Sequence, residues 1–165
     1  YRPLTPYGWN GQPSRSLSVP ADQTALAHLF HARSTMVNYQ SLLGRQWDYG
    51  VNDCFSLVRE WYKLQGIELP EFARPEELEA CDSIFLQNAE AIGFKQVALE
   101  RRSPGDILIM KLGTRTPMHA AILLPDERIL HQRQNSLSAI EPLRRYYVER
   151  IAAVFRYAAG RPTAG

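Results

Sequence analysis

The sequence predicts an α+β domain, with helices from its first half packed on a central antiparallel sheet built from its second half. Three observations carry that reading. Apolar residues recur at helical spacing with glycine stops up to about residue 93, short strand-like segments replace them afterwards, and Pro104-Gly105 and Pro125-Asp126 punctuate those segments as turns. With 165 residues and 45% hydrophobic content, the chain suits one domain with a real core plus an extended arm, and is too short for two full domains.

Residues 1–20 concentrate Pro, Gly and Ser, a composition neither helix nor strand can use, so they read as an arm. Its aromatics, Tyr1, Tyr7 and Trp9, suggest that it docks on something. A helix is expected from about Ala21 to Leu43, with Leu26, Leu29, Phe30 and Val37 as its stripe and Gly44 as its stop. The next helix is capped by Asn52 or Asp53 and ended by Gly66. Leu57, Val58 and Trp61 follow Cys54 at offsets of three, four and seven, which puts Cys54 on the core side of the first turn. Pro75-Glu76-Glu77 opens a further helix running to Ile92, before Gly93. Strands are expected at Lys95 to Leu99, Asp106 to Leu112, Met118 to Leu124, Arg128 to Gln132 and Ile151 to Tyr157, forming an antiparallel meander. The organisation expected is an arm and helix over 1–43, a catalytic domain over 44–158 and a tail over 159–165.

Composition excludes several function classes. The 19 basic residues are interspersed with 17 acidic ones for a net charge of +2, with no block suited to tracking phosphates, so no nucleic-acid specificity is expected. No apolar run approaches the ~18 residues a membrane span needs, and no export signal of the usual kind is present. The first residue is Tyr1 rather than Met, as in a processed product or a fragment. The two cysteines, Cys54 and Cys81, lack metal-ligand spacing and read as reduced thiols.

Chemistry concentrates at Cys54. Unpaired backbone N–H groups and the helix macrodipole at a first turn favour a thiolate, and a thiolate is the useful nucleophile. An imidazole must come from elsewhere, and four histidines are available. His28 and His31 sit on the early helix, where a solvated or half-buried face is the ordinary reading. His119 and His131 sit on expected strands, which can hold a ring rigidly. Side chains alternate faces with period two, so these two share a face only if the loop around Pro125-Asp126 has an odd number of residues or the strand has a bulge. On that condition His119 serves as general base and His131 orients it, although the adjacent Gln132 is the alternative inward-pointing residue. Asp53 reads first as a helix cap, and Asp106 as structural.

These residues resemble a known family. Asp53-Cys54-Phe55-Ser56-Leu57-Val58 is similar to the nucleophile helix of NlpC/P60 cysteine peptidases, Pro104-Gly105-Asp106 to their strand opening, and His119-Ala120-Ala121-Ile122 to their histidine strand. Ile129-Leu130-His131 is similar to their third catalytic position. The resemblance implies a papain-like fold with the nucleophile at a helix N-terminus, catalysis by Cys54, His119 and His131 through a thiolate–imidazolium pair, and no metal or cofactor. It implies an oxyanion and substrate side formed by the Cys54 N–H with Trp47 or Tyr49, and with Asp53 beside them. Family members carry a tyrosine where Trp47 stands, and a glycine in the stretch occupied here by Phe55 and Ser56, so a narrower approach to the thiol is expected. Gly44-Arg45-Gln46-Trp47, Gly66-Ile67-Glu68-Leu69-Pro70, Leu86-Gln87-Asn88 and Gln134-Asn135-Ser136 further resemble the branch of the family found at the tail tips of lambda-like phages. That likeness implies peptidoglycan stem peptides as substrate, cut between γ-D-glutamate and a diamino acid, and other tail tip proteins as partners. It also implies a virion tail location with action on the host wall. Such proteins usually carry a JAMM-type domain ahead of this one, and its His-x-His signature is absent from this sequence.

Overall fold

The computed structural model describes residues 37–71, 73, 74 and 83–159. The arm, His28, His31, Cys81 and the terminal residues 160–165 lie outside them. Six antiparallel strands form one sheet: β1 Phe94–Val97, β2 Ile107–Met110, β3 His119–Leu124, β4 Arg128–His131, β5 Ala139–Pro142 and β6 Ile151–Tyr157. Their spatial order is β1-β6-β2-β3-β4-β5. The expected meander therefore holds for β2 to β4, while β6 returns to sit between β1 and β2, pairing Phe155 with both Gln96 and Ile107. β2 and β3 are buried along their whole length, so they need strand partners on both edges and cover on both faces. β5 has no counterpart among the expected strands. Four residues ending in Pro142 give little signal, and proline is tolerated there because β5 is the sheet edge.

Helix α1, Cys54–Lys63, lies on one face of the sheet. Leu57, Val58, Trp61 and Tyr62 join Ile107, Ile109, Ala120, Ile122 and Leu124 in the larger core cluster. Its end follows the expected glycine stop. Gly66 adopts φ +76°, the Ile67 N–H donates to Tyr62 O at 3.0 Å and the Gly66 N–H to Lys63 O at 2.9 Å, which satisfies carbonyls the helix leaves open. A smaller cluster of Leu108, Met110, Ala121, Leu123, Ile129, Leu143, Tyr147 and Val154 covers the opposite face. Tyr147 comes from a one-turn helix, α3, at Arg145–Val148.

Two expected helices differ. Residues 37–39 are not helical and Gln40–Leu42 form a single 3-10 turn, so the early helix does not reach Leu43. That segment is bound instead to the far side of the chain. The Gly44 N–H donates to Ser138 O at 2.8 Å, the Ser138 N–H to Arg45 O at 2.9 Å, and the Ser138 hydroxyl to Leu42 O at 2.6 Å. Nor does one continuous helix run from Pro75 to Ile92. Helix α2 spans Ile84–Asn88 and starts afresh at Ser83, whose ψ of 117° is non-helical and whose Oγ accepts from the Leu86 N–H. Residues 75–82 lie outside the described residues. No described helix is long and apolar enough to cross a membrane.

Candidate active site

Cys54 is the first residue of α1, and Asp53 is the N-cap. The Asp53 carboxylate accepts the Ser56 N–H at 2.8 Å and the Gly50 N–H at 3.0 Å, so it fixes both the helix start and the loop leading into it. Arg74 closes on it in a fork, Nε to Oδ2 at 2.8 Å and Nη2 to Oδ1 at 3.0 Å, with both side chains nearly buried. Burial works to raise the Asp53 carboxyl, but the Arg74 and backbone hydrogen bonds and the Arg74 charge outweigh it and hold it below its ordinary value. A capped, paired carboxylate has no proton to offer an oxyanion. Asp53 thus borders the cleft as its scaffold.

The cleft has a volume of about 330 Å³ and is lined by Cys54 and His119 together with Trp47, Tyr49, Phe55 and Arg74. The rings of Trp47 and Tyr49 stack with centroids 6.2 Å apart, so the cleft wall receives both rather than one of them. Phe55 packs edge-on against Phe85 and lies under the Arg74 guanidinium, 4.6 Å from its ring centroid, filling the floor beside the thiol. Arg133 also lines the cleft. Asp53 offsets the Arg74 charge on the thiol side, and Arg133 stands 3.6 Å from the Glu141 carboxylate.

The loop between β3 and β4 comprises Pro125, Asp126 and Glu127, an odd number, with positive φ at Asp126 (61°) and Glu127 (48°). Ala121 consequently stands opposite His131, and His119, two residues from Ala121, shares its face. That face is the one away from α1, because Met110, the partner of His119, and Ala121 both belong to the smaller cluster. His119 is the first residue of β3 and lines the same cleft as Cys54. The Cys54 thiol donates to Met118 O at 3.6 Å, and the Ala120 N–H points at its sulfur, so the sulfur faces the strand on either side of His119. His131 lies behind His119, with His119 Nε2 and His131 Nδ1 3.0 Å apart. Gln132 does not take that place. Its Nε2 donates to Arg45 O and Ser136 O, tying the following loop to the segment before the nucleophile.

Beyond His131 the line continues through residues the sequence reading missed. His131 Nε2 hydrogen-bonds Glu141, and the Tyr147 hydroxyl donates to the same Glu141 oxygen at 2.7 Å, while His131 packs edge-on against the Tyr147 ring. Glu141 comes from β5 and Tyr147 from α3, the two elements too short to have a periodic signal.

Desolvation acts against the expected thiolate–imidazolium pair. Burial pushes the Cys54 thiol up to about 11 and the His119 imidazole down to about 3. First-turn N–H groups favour the thiolate, desolvation acts against it, and Cys54 itself stands half-buried at the cleft. His131 is lowered as well, chiefly by burial and against the pull of Glu141. Burial opposes ionisation of Glu141 too, yet the hydrogen bonds from Tyr147 and His131 and nearby positive charge keep it below its ordinary value.

Residues 5–156 match the NlpC/P60 family. The chain belongs to that family. It is 34% identical over 160 residues, 94% of this chain and 79% of the relative, to the tail tip assembly protein K of Escherichia phage lambda. In fold this NlpC/P60 domain is similar to an NLP/P60-family protein of Staphylococcus aureus described as similar to a lipoprotein (TM-score 0.57, 19% identity, 78% of this chain, 42% of the other). It is also similar to NlpC1 of Trichomonas vaginalis (TM-score 0.56, 16% identity, 78% and 44%). The chain spans less than half the length of those two structures. They share with it the α+β, papain-like architecture that the sequence predicts.

Within the NlpC/P60 domain the Pro-Gly-Asp strand opening is structural. Asp106 accepts the Ser103 N–H at 2.8 Å and takes a fork from Arg156 on β6, which locks the β2 entry to the last strand.

Proposed function

We propose that the chain is a cysteine peptidase that cleaves peptidoglycan stem peptides at the bond between γ-D-glutamate and a diamino acid. The observation that carries this is the placement of Cys54 at the head of α1 in one cleft with His119, itself backed by His131 at 3.0 Å. In the reaction, His119 takes the thiol proton through Nδ1, the nitrogen not turned to His131, as Sγ forms a bond to the scissile carbonyl carbon. The tetrahedral oxygen is held by the Cys54 N–H with the Trp47 indole N–H or the Tyr49 hydroxyl. The C–N bond breaks as the proton passes to the leaving amine. Water then splits the thioester, giving its proton to His119, and the thiol is restored. A wall carrying Arg133 suits the carboxylates of a stem peptide. The relative's tail tip role supports a place in tail tip assembly, with other tail proteins as partners and the host wall as the site of action.

A second reading is a tail component whose peptidase site is latent. The thiol donating to Met118 O rather than to His119 favours it. One experiment separates the two: purified peptidoglycan incubated with the chain or with Cys54→Ala, and the released muropeptides read by mass spectrometry. Stem-peptide fragments that vanish with Cys54→Ala support the peptidase and name its bond. Absence of fragments, with Cys54 open to alkylation, moves the assignment to the structural role.

A further inference from the structure

We propose that Glu141, together with Tyr147, is a positioning residue that sets the tautomer of both histidines, so that His119 presents an unprotonated Nδ1 to the cleft. The argument follows the protons. An ionised carboxylate can only accept hydrogen bonds. Glu141 Oε2 receives the Tyr147 hydroxyl at 2.7 Å and has Arg133 Nε at 3.6 Å, so it stands among donors, and its remaining contact, His131 Nε2, must donate too. A neutral imidazole has one N–H. With it on Nε2, the His131 Nδ1 carries a lone pair, and that atom lies 3.0 Å from His119 Nε2. His119 Nε2 therefore holds the proton of its own ring, which leaves Nδ1 bare.

Without Glu141 the line loses its polarity. His131 can then carry its proton on Nδ1 and donate to His119 Nε2, which moves the His119 proton to Nδ1, where the ring cannot accept from a thiol. Two rings joined by one hydrogen bond hold either arrangement, and only an acceptor fixed at the far end distinguishes them. Glu141 is built for that task. Its position in β5, two residues from Ala139, the partner of His131, puts it on the His131 face, and the Tyr147 ring and hydroxyl fix its rotamer from α3. The charged and titratable groups facing His131 are His119 from β3, Glu141 from β5, Tyr147 from α3 and Arg133 from the loop after β4.

This inference rests on the peptidase reading for its consequence, but its test does not. Nitrogen-15 chemical shifts and two-bond proton couplings of the imidazoles report tautomers directly in the unliganded protein. Both His119 and His131 are expected as Nε2–H tautomers in the wild type, with Nδ1–H forms arising in Glu141→Ala, or in the equally long Glu141→Met should the alanine variant not fold. Glu141→Gln keeps an acceptor oxygen and is expected to keep both Nε2–H tautomers. Where muropeptide release is measurable, Glu141→Ala should lower kcat by roughly 10²-fold or more at similar KM, and Glu141→Gln should restore most of it. A wild-type His131 protonated on Nδ1 overturns the proposal whatever the activity, as do unchanged tautomers in both Glu141→Ala and Glu141→Met. Failure to release muropeptides with the expected tautomers in place would overturn the peptidase reading alone.

Discussion

Removing Arg74 tests how the helix that carries Cys54 is held. Asp53 and Arg74 form a forked ion pair with side-chain exposures of only 7% and 11%. Taking away one partner of such a pair leaves a buried charge, which costs about 3–5 kcal/mol. Asp53 keeps the Ser56 and Gly50 N–H groups as partners in Arg74→Ala, so the lower figure, about 3 kcal/mol, is expected. With a urea m-value near ~2 kcal/mol/M, the unfolding midpoint should fall by about 1.5 M. In an Asp53→Asn background the amide oxygen still caps, and the unpaired buried charge is that of Arg74 itself. The same Arg74→Ala change then removes that charge and should cost no more than about 1 kcal/mol, the packing lost over Phe55 being offset by the relief. The chemistry should respond in step, because the Asp53 charge raises the Cys54 thiol and the Arg74 charge lowers it. Iodoacetamide labelling, followed by mass spectrometry of the peptide containing Cys54, should slow in Arg74→Ala and quicken in Asp53→Asn. A cost below about 1 kcal/mol for Arg74→Ala, or an equal cost in both backgrounds, would refute the buried-pair argument.

Two further expectations concern stability. Burial depresses His119 to about 3 from 6.5 and raises Cys54 to about 11 from 9.0, so the unfolded chain binds a proton at His119 below about 6.5 and releases one at Cys54 above about 9.0. Stability should therefore be greatest between those values and fall on either side. Urea midpoints across pH should show Cys54→Ala losing less than the wild type between pH 8.5 and 10, and parallel curves there would contradict the burial of the thiol. Gly93 adopts φ +96°, and a Cβ built on it would stand 2.6 Å from the Ala159 Cβ. Gly93→Ala should cost roughly 2 kcal/mol in the same assay, through strain and a clash with Ala159 just after β6, and a neutral substitution would count against that geometry.

Local signals in the sequence determine a good deal of this protein. Offsets of three, four and seven from Cys54 place it at the head of an apolar helix, Gly66 stops that helix, and the apolar runs around Ile109 and Ile122 announce buried strands. Alternation also sets a condition on His119 and His131, that the loop joining their strands have an odd number of residues, and Pro125, Asp126 and Glu127 meet it. Other features depend on groups far apart in the chain. The return of β6 between β1 and β2 follows from burial of β2 on both edges, not from any pattern in residues 151–157. Arg74 reaches Asp53 across 21 positions and Ser138 reaches Leu42 across 96, contacts that spacing does not encode. The protonation state of the site is likewise tertiary. A helix start alone argues for a thiolate, and the packing of the sheet around Cys54 and His119 brings in desolvation, which acts the other way. Glu141 and Tyr147 lie on elements of four residues each, too short for a period to emerge, and strand pairing brings Glu141, and the packing of α3 brings Tyr147, to His131.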